Sequence, residues 1–331
     1  MQSRQISYFF SLFLGLSNVY ASDIKPTDPI LKDIAKTMVE FTKEPHPIGS
    51  KRQLHLADKY ASIWKKRGAK IELQTFSAKT PNTRHILLGG KESQKKWTEK
   101  KGVNVIGTLP GTKNCAVVIG GHFDTKPYTQ FRFVGANDGG SSTALLMALP
   151  LLLKKKNADK KIFSLSQCDL HMVLFDGEEA QLPNWGTGQR LFGKRDNLYG
   201  SFRFVRDYVS KKNNKIYIKE KPLYLSIIVD MIGHKKQKLN ITMGSHDKSE
   251  ALLKKVSKGI HYADQRPPIE DDHLPFMQAG SKVLHIIDWN NLKEWHTPKD
   301  TLDIISNENI YRFTHAISRF LQEPTNESDY L

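Results

Sequence analysis

Cysteine is scarce in this chain: 331 residues hold two, Cys115 and Cys168, which leaves no zinc-finger spacing. Both stand at the mouths of predicted strands. Two readings stay open for them, a disulfide between neighbouring strands or a pair of buried thiols. Acidic residues are the minority charge, 34 against 50 lysines and arginines, for a net charge of +16. An excess of that size invites a nucleic-acid partner. The lysines, however, fall in short scattered clusters such as Lys95-Lys96, Lys100-Lys101 and Lys235-Lys236, with no aromatic-interleaved binding module around them. The reading is a solvated basic surface, biased toward acidic substrates or a cell envelope, and no nucleic acid is expected. Beyond the N-terminal stretch no apolar run nears the length that spans a bilayer, so stable membrane insertion is not expected. No long Pro/Gly/Ser tract interrupts the middle, and no internal repeat is apparent. With 39% hydrophobic residues, the remaining class is a single globular domain with a sizeable core.

Residues 1–21 stand apart. Arg4 supplies a positive start, 6–16 is mostly apolar, and Val19 and Ala21 occupy positions suited to cleavage. That is the layout of a secretory signal, with an apolar core too short for an anchor. An exported mature domain over 22–331, secreted or periplasmic, is the expectation.

Helical spacing runs over 30–41 and 51–67, where Leu54, Ala57, Ala61 and Trp64 share a face and Gly68 stops the helix. Residues 71–76 alternate as a strand, and the polar stretch 89–101 predicts a hairpin loop or insertion. Four apolar runs follow, at 115–120, 170–175, 223–232 and 282–287, separated by helical patterns at 141–156, 198–210 and 247–260, with a last helix at 308–321. Strands alternating with helices predict an α/β fold with a mostly parallel mixed central sheet and helices on both faces.

Acids and histidines collect just after these runs. His122 and Asp124 follow the first, Asp138 precedes a helix opening at Gly139, and Asp176, Glu178 and Glu179 follow the second. Asp230 lies near the end of the third, and His296 in the loop after the fourth. In an open α/β sheet, ligands bind outside the carboxyl ends of the strands. Separate loops therefore deliver His122, Asp138, Glu179 and His296, the ligand types of a catalytic zinc site, to one rim. Each has a plain structural alternative: a core histidine, a helix cap, a solvated acidic pair, a turn. Neighbouring side chains in an extended segment point opposite ways, so one of Glu178 and Glu179 ligates while the other is free for acid/base work. Read alone, His285 is a core histidine and Trp289 a core aromatic, while Asp230 reads as a site residue with a strand-end polar group as its alternative.

At these residues the chain resembles the zinc-dependent glutaminyl-peptide cyclotransferases. The resemblance is carried by Gly121-His122-Phe123-Asp124-Thr125-Lys126, Phe133-Val134-Gly135-Ala136-Asn137-Asp138, Phe175-Asp176-Gly177-Glu178-Glu179-Ala180 and Leu198-Tyr199-Gly200-Ser201. Asp271-Asp272-His273-Leu274-Pro275-Phe276, Val283-Leu284-His285 and Trp295-His296-Thr297 continue it. It implies one zinc per chain held by Asp138, Glu179 and His296, with Glu178 as the acid/base. Asp230 and Asp271 would orient the substrate amine and support proton transfer, with His285 in their hydrogen-bond network. Trp295 and, allowing one inserted residue, Trp185 would wall the substrate pocket, whereas His122 and Asp124 would stand near the zinc without ligating it. The implied reaction converts N-terminal Gln of peptides or proteins to pyroglutamate with release of ammonia. Three features depart from the family pattern: the segment after Glu179 is longer than in the animal enzymes, Asn291 stands where a pocket phenylalanine is expected, and the cysteines fall elsewhere.

The rival is an M28-type zinc aminopeptidase on the same fold, because His122, Asp138, Glu179, Asp230 and His296 supply ligand types for two metals. A catalytically dead binding protein is a third reading, against which an intact Glu178 counts.

Overall fold

The computed structural model describes residues 25–82, 97–153 and 162–331. The expected signal at 1–21, and the parts of two other expectations at 89–96 and 154–156, lie outside the described residues. Among the described residues nine strands form one sheet: β1 (Lys70–Pro81), β2 (Trp97–Leu109), β3 (Ala116–His122), β4 (Asp169–Phe175), β5 (Val209–Lys212), β6 (Lys215–Ile218), β7 (Lys221–Asp230), β8 (Asn240–Ile241) and β9 (Val283–Ile287). The order runs β1-β2-β4-β3-β7. From β7 the sheet continues to β6 and β5 at one end of the strand and to β9 and β8 at the other. The centre, β4-β3-β7-β9, is parallel, and the flanking pairs are antiparallel. This is the mixed α/β sheet that the alternation of runs predicts.

Eight helices are described: α1 (Pro29–Phe41), α2 (Lys51–Lys66), α3 (Ser142–Leu152), α4 (Thr187–Phe192), α5 (Tyr199–Tyr208), α6 (Asp247–Val256), α7 (Leu274–Gln278) and α8 (Asn307–Gln322). Along β3, Val117 and Ile119 pack with α1, α2, α3, α6 and α8 on one face, while Ala116 and Val118 pack with Phe204 of α5 and Phe276 of α7 on the other. Burial on both faces is why these strands read as unbroken apolar runs rather than as alternation. Helix α2 starts where the Ser50 side chain accepts the Gln53 N–H at 3.1 Å and ends before Gly68, whose φ of 91° a side chain would resist.

Three expectations are corrected. Residues 97–101, read as loop, open strand β2, which pairs along its whole length with β1. The last residues of the predicted helix 198–210 leave α5 and enter a lysine-rich β5–β6 hairpin, and the helix predicted to residue 260 ends at Val256. The open question about the cysteines closes. Cys115 and Cys168 enter the adjacent parallel strands β3 and β4 side by side, 4.7 Å apart at Cα, and are disulfide-bonded.

Candidate functional site

The carboxyl ends of the central strands carry the site, as the topology requires. Strand β3 ends on His122, and Asp138 lies in a single π-turn, Ala136–Ser141, ahead of α3. Asp138 there has φ −78° and ψ 98°, outside the helical region. Gly139 follows with φ 82°, and a Cβ on it would stand 2.8 Å from the His122 ring. Only glycine lets the turn come this close. Beyond β4, the N–H groups of Glu178 and Glu179 donate to the two oxygens of Asp124 at 3.0 and 3.4 Å, so Asp124 holds the backbone of the acid pair.

The two glutamates diverge. Glu179 Oε2 lies 3.2 Å from His296 Nε2, which is also 3.4 Å from Asp138 Oδ2. Ligand atoms of Asp138, Glu179 and His296 all lie within 4.8 Å of one another. Asp138 Oδ2 and both Glu179 oxygens are buried and accept no hydrogen bond among the described residues. Burial disfavours a charged His296, yet the Glu179 and Asp138 charges push its pKa up to about 9. Two buried carboxylates with unmet lone pairs converge on one imidazole, with the buried Lys126 ammonium 4.0 Å from Glu179 Oε2 beside them, and these hard-oxygen and nitrogen donors suit zinc. The residues therefore fit the metal.

His122 faces the other side of Asp138. Its Nε2 lies 3.1 Å from Asp138 Oδ1 and 3.2 Å from Asp230 Oδ1. Burial opposes its charge, but Glu178 and Asp230 raise its pKa well above the usual range. Asp230 also accepts the Gly139 N–H at 3.4 Å, and burial lifts its pKa to about 6 against the pull of His122. His122, Asp138 and Asp230 form a second group with ligand spacing.

Glu178 is buried, with Oε2 4.0 Å from His122 Nδ1. Burial raises its pKa well above the ordinary range; the Asp271 and Glu179 charges add to this and His122 opposes it. Asp271 goes the other way. Burial would raise it, but His285, whose Nε2 meets Oδ2 at 2.7 Å, holds it down to about 2. His285 is fully buried, shares a hydrogen bond with Thr242 Oγ1 at 3.0 Å, and stacks on His273 at 4.0 Å. It is thus a core histidine by burial and a network member by its bonds. Asp271, His273 and His285 also have ligand spacing. A 2.7 Å nitrogen-to-oxygen separation is that of a charge-assisted hydrogen bond, however, and the cluster reads as a relay.

Trp295 stacks on the His296 ring at 3.8 Å, and Trp289 meets Trp295 edge-on at 5.5 Å. Trp289 is half-buried and buttresses Trp295, which corrects its reading as a core aromatic. Tyr128 and Phe133 approach the same ring edge-on at 6.2 and 6.0 Å. Trp185 is half-buried with its indole N–H unpaired, and among the described residues no ring contact, ion pair or hydrogen bond joins it to the ligand cluster. Asn291 ties its own loop, donating to Asp288 Oδ2 at 2.7 Å. Residue patterns did not single out Tyr128 or Asp300. Asp300 accepts the Asn137 and Asp138 N–H groups, and its only sequence signal is an acid four residues beyond His296.

Residues 104–321 match the sequence profile of peptidase family M28. The chain belongs to this family. Among similar proteins, the bovine glutaminyl-peptide cyclotransferase-like protein is 26% identical over 278 residues, 77% of this chain and 65% of that protein. The chain thus spans just under two thirds of the length of this relative. Among solved structures, a glutaminyl cyclase from an Acidobacteriales bacterium superposes with a TM-score of 0.68 at 23% identity, covering 92% of this chain and 98% of the other. A leucine aminopeptidase precursor from Bacteroides thetaiotaomicron superposes with a TM-score of 0.67 at 18% identity, over 89% of this chain and 96% of that one. Structures named for both activities share the fold described here.

Proposed function

We propose that this chain is a glutaminyl-peptide cyclotransferase that closes an N-terminal glutamine to pyroglutamate and releases ammonia. One observation carries the reading: buried Glu178, with Oε2 4.0 Å from His122 Nδ1, and buried Asp271, whose Oδ2 meets His285 Nε2 at 2.7 Å, stand in environments that raise the first carboxyl's pKa and lower the second's. Environments that push two carboxyl groups apart assign one to proton traffic and one to holding charge. The support from named relatives, cyclotransferases among them, runs the same way.

Asp138, Glu179 and His296 would hold one zinc per chain, which when bound supplies Lewis-acid polarisation of the substrate's γ-carbonyl oxygen. Asp230 and the Asp271–His285 pair hold the free α-amine toward the side-chain amide carbon. Glu178, whose buried setting favours the protonated form, gives its proton to the departing amide nitrogen, which leaves as ammonia, and the carboxylate so formed takes the proton shed by the amine nitrogen that has bonded to the carbon. Nucleophile and electrophile belong to one residue, so a bent bound conformer supplies most of the proximity advantage. Trp295 and Trp185 are assigned to the substrate pocket; Trp295, with Tyr128 and Phe133 around His296, would exclude water. The substrates are peptides or proteins with a free N-terminal Gln. Export is part of the reading, supported by the disulfide, since such bonds persist in oxidising compartments. No helix among the described residues is long and apolar enough to cross a membrane.

The second group, His122, Asp138 and Asp230, favours one alternative, a two-metal aminopeptidase. Mass spectrometry of Gln-, N-acetyl-Gln- and Leu-initiated peptides separates the two. The Gln peptide should lose one ammonia with every peptide bond intact, and the other two should stay whole. Release of free leucine, with no ammonia loss from the Gln peptide and two metals per chain, would replace the cyclase reading with the aminopeptidase one.

A further inference from the structure

Asp300 is a buried carboxylate, 2% exposed, four residues beyond His296. Burying such a group costs several kcal/mol unless its oxygens are met, so its partners matter. They are all in one place. The Asn137 N–H donates to Oδ1 at 2.7 Å, the Asp138 N–H to Oδ2 at 3.1 Å, and the Ala136 N–H to the Asp300 backbone carbonyl at 3.3 Å. Three successive N–H groups of the π-turn that presents Asp138 therefore end on a single residue of the loop that presents His296.

Neither ligand sits on regular backbone. Asp138 has non-helical angles inside its turn, and His296 has φ 56°, in the left-handed region that a side chain disfavours. Such conformations persist only where surrounding contacts over-determine them. On its far side the Asp138 turn is tied to the end of β7, because Asn137 Oδ1 accepts the Gly233 N–H at 2.8 Å. On the near side the tie is Asp300. Its own loop is closed by the Asp300 N–H to Thr297 O at 3.3 Å and by Thr297 Oγ1 to Glu294 O at 2.7 Å. The spacing between the carboxylate of Asp138 and the imidazole of His296 is thus set through Asp300.

We infer that Asp300 is a positioning residue for the metal centre, locking the Asp138 turn to the His296 loop so that both side chains address the same ion. The inference rests on Asp138, Glu179 and His296 being the ligands, and holds for either reaction. Residues that orient ligands without touching the ion set affinity by sparing the site the cost of ordering itself, and their loss weakens metal binding about 10- to 100-fold.

The test is zinc affinity by chelator competition, with the visible spectrum of the cobalt(II)-substituted protein as a geometric readout, on wild type, Asp300→Asn, Asp300→Glu and the exposed control Asp303→Asn. An amide at 300 turns a donor toward one of the backbone N–H groups. Asp300→Asn should bind zinc about 10- to 100-fold more weakly, with shifted cobalt bands and an apo-protein melting temperature close to that of wild type. Asp300→Glu should fall between, and Asp303→Asn should match wild type. If wild type takes up no zinc, the ligand reading fails and this inference with it. If wild type binds zinc and Asp300→Asn binds it equally with the same cobalt spectrum, Asp300 is not a positioning residue while the ligand reading stands. Should Asp300→Asn not fold, Asp300→Glu decides: its longer arm displaces the turn, and unchanged affinity and spectrum in it overturn the inference.

Discussion

Glu178 and Glu179 are adjacent in the chain and are separated chemically by backbone direction. Asp124 accepts both of their N–H groups, which fixes the strand-like segment and sends one side chain to His296 and the other toward His122 and Asp271. Glu178 lies outside the Asp138–Glu179–His296 group, in a buried acidic neighbourhood that favours its protonated form. Substitution of Glu178 by Gln keeps the shape and removes the proton carrier. We expect turnover to fall by about 10²- to 10⁴-fold while metal content stays at the wild-type level. Asp138→Ala and His296→Ala should instead lose the metal. Steady-state kinetics alongside metal analysis of dialysed protein separate the two outcomes. A Glu178→Gln enzyme that works at near wild-type rate would remove Glu178 from the mechanism.

At the scale of elements, the disulfide and the site occupy opposite ends of the same strands. Cys115 and Cys168 join the amino ends of β3 and β4, while His122 and the Glu178–Glu179 pair follow their carboxyl ends. The bridge closes a loop with a sequence separation of 53 residues. Loop-closure entropy of the unfolded chain then makes it worth about 4 kcal/mol. The double substitution Cys115→Ala with Cys168→Ala should lower the unfolding free energy in urea by about that amount, with activity of the folded protein retained. A variant equally stable but inactive would show that the bridge acts on the site instead of on the unfolded state.

For the molecule as a whole, three buried histidines are held neutral. Burial lowers His46 to about 4, His171 to about 4 and His273 to about 3. At His171, Lys219 and Lys221 add to burial, whereas Asp169 and Glu72 oppose it. The folded-state pKa is below the ordinary 6.5, so between these values the unfolded chain binds the proton and the folded chain does not. Stability is therefore fully present above about 6.5 and is lost as pH falls toward 4, His46 and His171 each contributing at most about 3 kcal/mol. Urea unfolding at pH 7 and pH 5 should show the loss, and His171→Gln should reduce it without touching the ligand cluster. His171 shares a hydrogen bond with Thr108 on the neighbouring strand, so the pH 7 value of the variant sets its baseline. An unchanged difference between the two pH values would exclude His171 as a source.

What was legible beforehand followed from local pattern. Runs such as 115–120 and 170–175 declared central strands because burial on both faces leaves no polar alternation, and an acid or histidine after each run declared the rim, because strand ends in such sheets converge. Asp138, Glu179 and His296 lie up to 158 residues apart in number; chain order around the sheet nominates them together with His122, and only the family resemblance sets His122 aside. The bond between the cysteines, the stacking of His273 on His285 and the clamp of Asp300 on the Asp138 turn were decided only by tertiary structure. Each depends on a distance between segments that no local periodicity encodes. The same holds for Tyr128, an unremarked loop residue until the chain path brings its ring beside His296. A side chain's type is written in the sequence, whereas its protonation state and its partners belong to the space into which the fold closes it.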